Sequence, residues 1–148
     1  IDARTLWHYQ AICVSPNLLS TTPGVGTAYL TAFRDKDGAY LLGNKRYRLS
    51  VPANPPVKRF WAVTAYDPLS RSLLDSGGNI TISSLGKPEV NPDGSVDIYF
   101  GTKAPKGKEK NFIKTDPEKG FFVAFRFYGP LEGYIEKTWK LNDFELIK

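Results

Sequence analysis

The sequence of 148 residues has no methionine, one cysteine and one histidine, and these absences exclude several kinds of site. The single cysteine, Cys13, cannot form an internal disulfide or a thiolate-rich metal site. The single histidine, His8, excludes a histidine-rich metal site, and no Gly-x-Ser-x-Gly nucleophile elbow occurs. We therefore predict no catalytic residues, no metal ligands and no cofactor.

Long apolar runs are also absent, because no stretch approaches the roughly 18 residues needed to span a bilayer. The net charge of +5 is modest, and the lysines of residues 103–119 are mixed with acidic side chains. This composition is typical of a solvated loop, and a polyanion site is the alternative. The length favours a single domain, residues 1–148, and the missing methionine leads us to expect that it is a piece of a longer protein.

Residues 47–67 organise the predicted fold as two strands joined by a proline-rich corner. Tyr47, Leu49 and Val51 alternate with polar residues, which indicates a half-buried strand. Three prolines within residues 52–56 then require a turn, because proline has no backbone N–H to donate to a neighbouring strand. Phe60–Tyr66 is apolar on both faces, as in a central strand that is covered on both sides.

The remaining chain reads mainly as short strands separated by turn sequences. Strands are predicted over residues 27–34, 39–42, 80–82, 95–100, 121–128 and 143–147, a loop over 101–115, and a short helix or aromatic plug over 134–139. A helix is predicted over Ala3–Val14, since that stretch has no glycine or proline. The expected class is all-β with a short N-terminal helix, as a two-sheet antiparallel sandwich of jelly-roll type; a small barrel is the alternative.

Arg126 is the one charged residue within the apolar stretch 121–128, and it is the first candidate ligand-binding residue. A half-buried guanidinium needs a partner, because leaving it unpaired costs several kcal/mol. Asp67 and Asp97 are the predicted partners, since each lies on or just beyond a predicted strand. The pair would form a cross-strand ion pair that sets the register, or would bind a ligand.

Six aromatic residues form the second candidate group. They are Trp61, Tyr66, Tyr99, Phe112, Tyr128 and Trp139. Aromatic side chains commonly fill the cores of β-sandwiches, and that is the expected role for most of them. If Trp61 and Tyr128 lie on an open face instead, they would form a stacking platform for a sugar or another flat ligand.

Three long motifs resemble the bacterial family called domain of unknown function 1214. They are YRLSVPANPPVKRFWAVTAYD, NPDGSVDIYFGTKAPKGKEKNFIKT and KGFFVAFRFYGPLEGYIEKTW. The resemblance implies a jelly-roll sandwich that follows a domain of unknown function 1254, often behind an export signal. It therefore implies an exported or periplasmic protein, and it brings no reaction, cofactor or catalytic residue with it. Phe112 and Glu118 depart from the family pattern, which has Trp and Gly there.

Three functions remain open on the sequence alone. The first is a non-catalytic sandwich that packs against a companion N-terminal domain or another subunit, including a second copy, with a ligand groove between them. The second is a hydrolase-type enzyme that uses Asp67 or Asp97 beside Arg126 for acid–base chemistry. The third is a module that binds a carbohydrate or a polyanion. We favour the first, because the sequence contains no recognisable catalytic constellation.

Overall fold

The computed structural model describes residues 22–147, and this part of the chain forms two β-sheets of four strands each. The strands are β1 (Thr27–Ala32), β2 (Arg46–Val51), β3 (Val57–Tyr66), β4 (Thr81–Ser83), β5 (Val96–Gly101), β6 (Phe112–Lys114), β7 (Phe122–Pro130) and β8 (Glu145–Ile147). Sheet I has the order β1-β7-β3-β4, and sheet II has the order β6-β5-β2-β8. The predicted all-β sandwich is confirmed. The predicted helix Ala3–Val14 lies outside the described residues.

The core lies between the two sheets, and the period-two pattern of the strands decides which side chains enter it. The buried inner residues of the two sheets form one hydrophobic cluster. Sheet II contributes Tyr47, Leu49 and Val51 from β2 and Val96, Ile98 and Phe100 from β5. Sheet I contributes Trp61, Val63 and Ala65 from β3 and Val123, Phe125 and Phe127 from β7. The proline-rich corner carries the chain from β2 in sheet II to β3 in sheet I, as predicted. The core therefore lies between two separate sheets, as in a sandwich, and the barrel alternative does not apply.

The lysine-rich stretch contains a strand that the sequence did not predict. Within it, β6 pairs with β5 in parallel, so sheet II is not wholly antiparallel. The Asn111 side chain fixes the start of this strand, because its amide donates to the carbonyls of Glu89 and Asp97 at 2.8 and 2.9 Å. This long-range side-chain anchor, rather than local propensity, places β6 in the sheet.

The stretch predicted as a short helix or an aromatic plug contains both features. A one-turn helix, α1 (Glu132–Ile135), follows β7. Beyond it, the Trp139 ring packs against Phe125 and Phe127 with centroid distances of 6.0 and 5.7 Å. The Trp139 indole N–H donates to the carbonyl of Ala53 at 3.1 Å, so this ring closes one end of the core near the proline-rich corner.

Strand β3 is an interior strand of sheet I, but it is not covered by a second layer on its outer side within residues 22–147. Ala62 and Thr64 on that side are only 8% and 5% exposed, because larger side chains of the same face crowd over them. Residues 61–65 of β3 are therefore buried on both faces, as the sequence predicts for a central strand. No helix within residues 22–147 is long and apolar enough to cross a membrane.

Candidate binding face

The outer face of sheet I collects aromatic side chains and one arginine from three neighbouring strands. The register places Tyr29 of β1 opposite Arg126 of β7, and it places Tyr66 of β3 opposite Phe122 of β7. Side chains of directly opposed residues lie on the same face. We define the aromatic face by these outer residues of β1, β3 and β7: Tyr29, Phe60, Thr64, Tyr66, Phe122, Arg126 and Tyr128.

Arg126 lies between two tyrosine rings at the centre of this face. Its Cζ atom is 5.7 Å from the ring centroid of Tyr29 and 5.3 Å from that of Tyr66, which is the range of cation–π contacts. Its guanidinium donates to the Thr64 hydroxyl at 3.0 Å and to the Tyr66 hydroxyl. No salt bridge of residues 22–147 includes Arg126. Neutral hydroxyls and rings hold the guanidinium in place without neutralising its charge.

A row of stacked rings extends from Arg126 toward one end of the sheet. The Tyr66 ring stacks on Phe122 with a centroid distance of 5.2 Å, and Phe122 stacks on Phe33 at 4.7 Å. The Arg71 guanidinium lies 5.5 Å from both phenylalanine rings. Like Arg126, Arg71 takes part in no salt bridge within the described chain. The row thus ends in a second cation that has aromatic neighbours and no carboxylate partner among residues 22–147.

Tyr128 also lies on this face, at the opposite end of β7 from Phe122. Its ring stacks on that of Phe60 with a centroid distance of 4.0 Å. Both side chains are half-buried, since each ring covers one face of the other. Tyr128, a predicted site residue, is therefore on the same face as Arg126.

The remaining predicted site residues lie elsewhere. Trp61 points into the core, where it is 5% exposed and stacks on Phe125 at 5.5 Å. Asp97 belongs to β5 in sheet II, opposite Ser50 of β2. The face therefore retains Arg126 and Tyr128 of the five predicted residues, and a ligand on it would not contact Trp61 or Asp97.

Asp67 comes directly after β3 and organises the loop that carries Arg71. Its Oδ1 accepts the amides of Ser70 and Leu69 at 3.0 and 2.8 Å, and these bonds hold the pKa of the carboxyl below its ordinary value. The Arg71 amide donates to the Asp67 carbonyl, and Arg71 adopts a left-handed φ of 62°. Asp67 therefore positions the second arginine through its loop rather than by an ion pair.

The predicted ion pair between Arg126 and Asp67 or Asp97 is therefore wrong. The three groups proposed for acid–base catalysis are not gathered into one site, because Asp97 lies in the other sheet and Asp67 is engaged by its own loop. Within residues 22–147, no group of three or more His, Cys, Asp or Glu side chains is arranged to hold a metal ion.

The sequence reasoning missed four residues of this region: Tyr29, Phe33, Thr64 and Phe122. Their shared signal is alternation, since Tyr29 stands between Ala28 and Leu30 on β1 and Thr64 between Val63 and Ala65 on β3. Alternation indicates which residues share a face of one strand. It does not indicate which strand is the neighbour, so these contacts depended on the register.

A pocket separate from the aromatic face lies between the sheets, beneath β1. Its volume is about 200 Å³, and its largest lining side chains are Leu30, Leu49, Phe125, Leu141 and Phe144. Leu30 faces inward with Phe125, its partner across the β1–β7 ladder, yet it is 37% exposed. The sandwich is therefore open along β1, where apolar core side chains contact solvent.

Comparison with known proteins identifies a family and a fold, and no activity. Residues 26–132 match the family described as "Protein of unknown function (DUF1214)". No curated protein matches the chain. The solved VPA0106 protein from Vibrio parahaemolyticus is similar in fold, with a TM-score of 0.74 and 23% identity over 95% of this chain and 34% of its own.

A second solved structure gives the same result. An uncharacterised protein from Burkholderia cenocepacia has a TM-score of 0.62 and 16% identity, over 95% of this chain and 32% of its own. At these identities the likeness concerns the fold alone. The chain spans about a third of the length of both solved proteins.

Proposed function

The chain belongs to the DUF1214 family of proteins of unknown function, and from that premise we propose that it is a non-catalytic docking module. Its aromatic face binds a partner domain, which further polypeptide of the same protein supplies. The observation that carries this proposal is Arg126, a fixed guanidinium on the aromatic face with no salt bridge among the described residues.

The electrostatic state of Arg126 supports a partner that presents a carboxylate. The guanidinium loses part of its hydration between two rings, and it receives no compensating negative charge from residues 22–147. Arginine offers a planar fork of donors that matches a carboxylate in a bidentate arrangement. Two of its nitrogens already donate to Thr64 and Tyr66, so the orientation of the fork is set before a partner binds.

The composition of the face supports a protein partner. Tyrosine, phenylalanine and arginine are enriched where protein interfaces are fully buried, and binding energy concentrates on Tyr and Arg in particular. Tyr29 is 53% exposed, so its ring offers free apolar surface next to the guanidinium. The stacked rings lose little side-chain entropy on binding, because their neighbours already hold them.

The lengths of the solved structures are consistent with this assignment. This fold accounts for about a third of the two longer proteins, so additional polypeptide accompanies the fold there. A companion domain needs to cover about 800 Å² per partner to form a stable interface of ordinary size. A sheet face on which exposed Tyr29 lies beside half-buried Arg126 offers a suitable surface for it.

Hydroxyl-radical footprinting of tyrosines tests the proposal. The 148-residue chain is compared with the same chain in its full-length polypeptide, and labelling is quantified by mass spectrometry. We expect Tyr29 to be protected in the longer protein, because its ring lies on the aromatic face. Tyr40 is 61% exposed in a separate hairpin and serves as the internal control. Equal labelling of Tyr29 in both forms would contradict the proposal.

A matched pair of variants tests the role of the charge. In the full-length polypeptide, Arg126→Ala should reduce the protection of Tyr29, because the partner carboxylate loses its cation. Arg48→Ala on the outer face of sheet II should leave that protection unchanged. A loss of protection in both variants would indicate a general defect in folding rather than a contact at the aromatic face.

An acidic carbohydrate or other polyanion is the second candidate for the same face. Arg126 and Arg71 favour it, since both are cations on aromatic rings without carboxylate partners in the described chain. A thermal-shift panel of acidic oligosaccharides and nucleic acids, run at two salt concentrations, distinguishes this function. Polyanion binding should weaken steeply with salt and disappear in Arg126→Ala. If no ligand of the panel raises the melting temperature, protein docking remains the proposed function.

A further inference from the structure

Strand β1 differs from the strands at the other three sheet edges. It has six residues, whereas the edge strands β4, β6 and β8 have three residues each. Proteins protect sheet edges by keeping edge strands very short or by placing charges and prolines on them. The sequence of β1, TAYLTA, contains no charge and no proline. Its edge is therefore the one on which these protective features are missing.

Within residues 22–147, the outer edge of β1 has no neighbouring strand. The Gly129 amide donates to the Gly26 carbonyl at 2.9 Å, so the groups of Gly26 point toward β7. Backbone groups alternate in direction along an antiparallel strand. The N–H and C=O groups of Thr27, Tyr29 and Thr31 therefore point away from β7, where no other described strand lies. These groups form a template for one more strand.

The charge distribution favours pairing of this edge with itself. The chain carries a net charge of +5, but residues 22–33 contain no charged side chain at all. Two copies that approached through most other surfaces would bring lysines or arginines together. In an approach through β1, the strand itself contributes only neutral side chains, and the charges nearest to it, Arg126 beside Tyr29 and Asp143 at the pocket, have opposite signs, so the repulsion along this edge is small.

The pocket beneath β1 gives the pairing an apolar component. Leu30 faces inward at its rim and is 37% exposed, and Leu141 and Phe144 line the opposite side. In an antiparallel pair about a two-fold axis, inward residues of one copy lie beside inward residues of the other. Leu30 of a second copy would thus lie next to Leu30 of the first and cover the open side of the core.

We propose that a second copy of this chain adds its β1 antiparallel to β1, which joins the two copies of sheet I into one eight-stranded sheet. The interface is isologous, as two-fold dimers require. This surface is the edge of sheet I, whereas the docking proposed above uses its outer face. The two inferences can therefore fail independently.

Sedimentation velocity over a range of protein concentrations tests the pairing. We expect a dimer that dissociates on dilution. Thr31→Pro removes the Thr31 backbone N–H, which points away from β7, so the hydrogen bonds between β1 and β7 stay intact. Each of the two copies loses one donor to the interface. Loss of two hydrogen bonds of about 1 kcal/mol each should weaken the dimer at least about tenfold. If the proline variant does not fold, Thr31→Lys replaces it, because charge on an edge strand opposes pairing.

Disulfide trapping provides a second readout that does not depend on affinity. In a Cys13→Ser background, Leu30→Cys should form a covalent dimer under mild oxidation. Leu69→Cys is the control, since Leu69 is 93% exposed and belongs to the Asp67 loop rather than to β1. A chain that stays monomeric at every concentration overturns the proposal. A dimer that is insensitive to the Thr31 variants, and is trapped at position 69 as readily as at position 30, also overturns it.

Discussion

Arg48 and Arg126 occupy comparable places on the outer faces of the two sheets, but their partners differ. Arg48 on β2 forms a salt bridge of 2.5 Å with Glu145 on β8, and this bond raises the pKa of Arg48 and lowers that of Glu145. Arg126 on β7 donates to the hydroxyls of Thr64 and Tyr66 and has no carboxylate partner within residues 22–147. Arg48 of sheet II is thus paired with a carboxylate of its own sheet, whereas Arg126 of sheet I is held by neutral groups among residues 22–147.

This difference explains why the candidate binding site lies on sheet I. A cation that is paired within its own sheet gains little from an added anion, because binding would have to replace the existing partner. A cation that is fixed by neutral groups keeps its capacity for a charge-assisted hydrogen bond. The unpaired cation, rather than the aromatic rings alone, distinguishes the aromatic face from an ordinary outer sheet surface.

The largest effect is expected from a comparison between the two sides of β3. Trp61 points into the core and Phe60 points to the aromatic face. Trp61→Ala should lower the free energy of unfolding by about 3–5 kcal/mol, because it empties a packed site. Phe60→Ala should cost about 1 kcal/mol, since it removes one stacked pair with Tyr128. Urea unfolding measures both; equal losses would mean that the outer face is packed as fully as the core.

The next effect concerns the hydroxyl that holds Arg126. Thr64 is 5% exposed, accepts from Arg126 at 3.0 Å and shares a hydrogen bond of 2.6 Å with the Thr81 hydroxyl. Thr64→Val should cost about 1–3 kcal/mol, because it leaves buried polar groups without a partner. Thr31→Val on the same face is the control and should change stability by less than about 0.5 kcal/mol. An unchanged denaturation midpoint in Thr64→Val would show that water replaces the hydroxyl.

A smaller effect on the free energy of unfolding is expected at Arg71. Its left-handed φ of 62° costs about 1–2 kcal/mol for a residue with a side chain, and glycine avoids that cost. Replacement also removes cation–π contacts worth about 0.5–1 kcal/mol. Arg71→Gly should therefore be no less stable than the wild type in urea unfolding. A clear destabilisation would assign the arginine to the fold and would weaken the comparison with Arg126.

The smallest effect is the pH dependence of the exposed pair on sheet II. Arg48 lowers the pKa of Glu145 below its ordinary value of 4.5 in the folded state. The contribution of the pair to stability is therefore present above pH 4.5 and is lost as the pH falls through the lowered pKa. The melting temperature of Glu145→Gln should fall less than that of the wild type over this acidic range. Glu132→Gln, at an exposed residue outside any salt bridge of residues 22–147, should follow the wild type.

Residues 47–67 show how much of the fold was predictable. The alternation of Tyr47, Leu49 and Val51 and the proline-rich corner indicated two strands, and the structure has β2 and β3 there. Strand β6 was not predicted, because three residues within a lysine-rich stretch carry no clear periodicity. Its position depends on Asn111, whose hydrogen bonds reach 14 and 22 residues away. Local patterns predicted the long strands, and long-range anchors placed the short one.

The candidate site was predictable in part. Arg126 was identified because a charge within an apolar strand is unusual, and Tyr128 lies on the same face. Trp61, predicted as a binding residue, packs in the core instead, which is the role expected for most of the aromatic group. The partners of Arg126 were not predictable, since a carboxylate was the obvious choice and the structure uses Thr64 and Tyr66 instead.

The class of fold and the two-sided character of each long strand follow from the amino-acid sequence, because period-two alternation is a local property of the chain. The sequence also determined that β1 carries no charge and that Arg126 is the lone cation of β7. Only the tertiary structure decided which strands are neighbours. Register between distant strands placed Arg126 between Tyr29 and Tyr66, kept Asp97 in the other sheet and left β1 at an edge, because these relations depend on how the whole core packs.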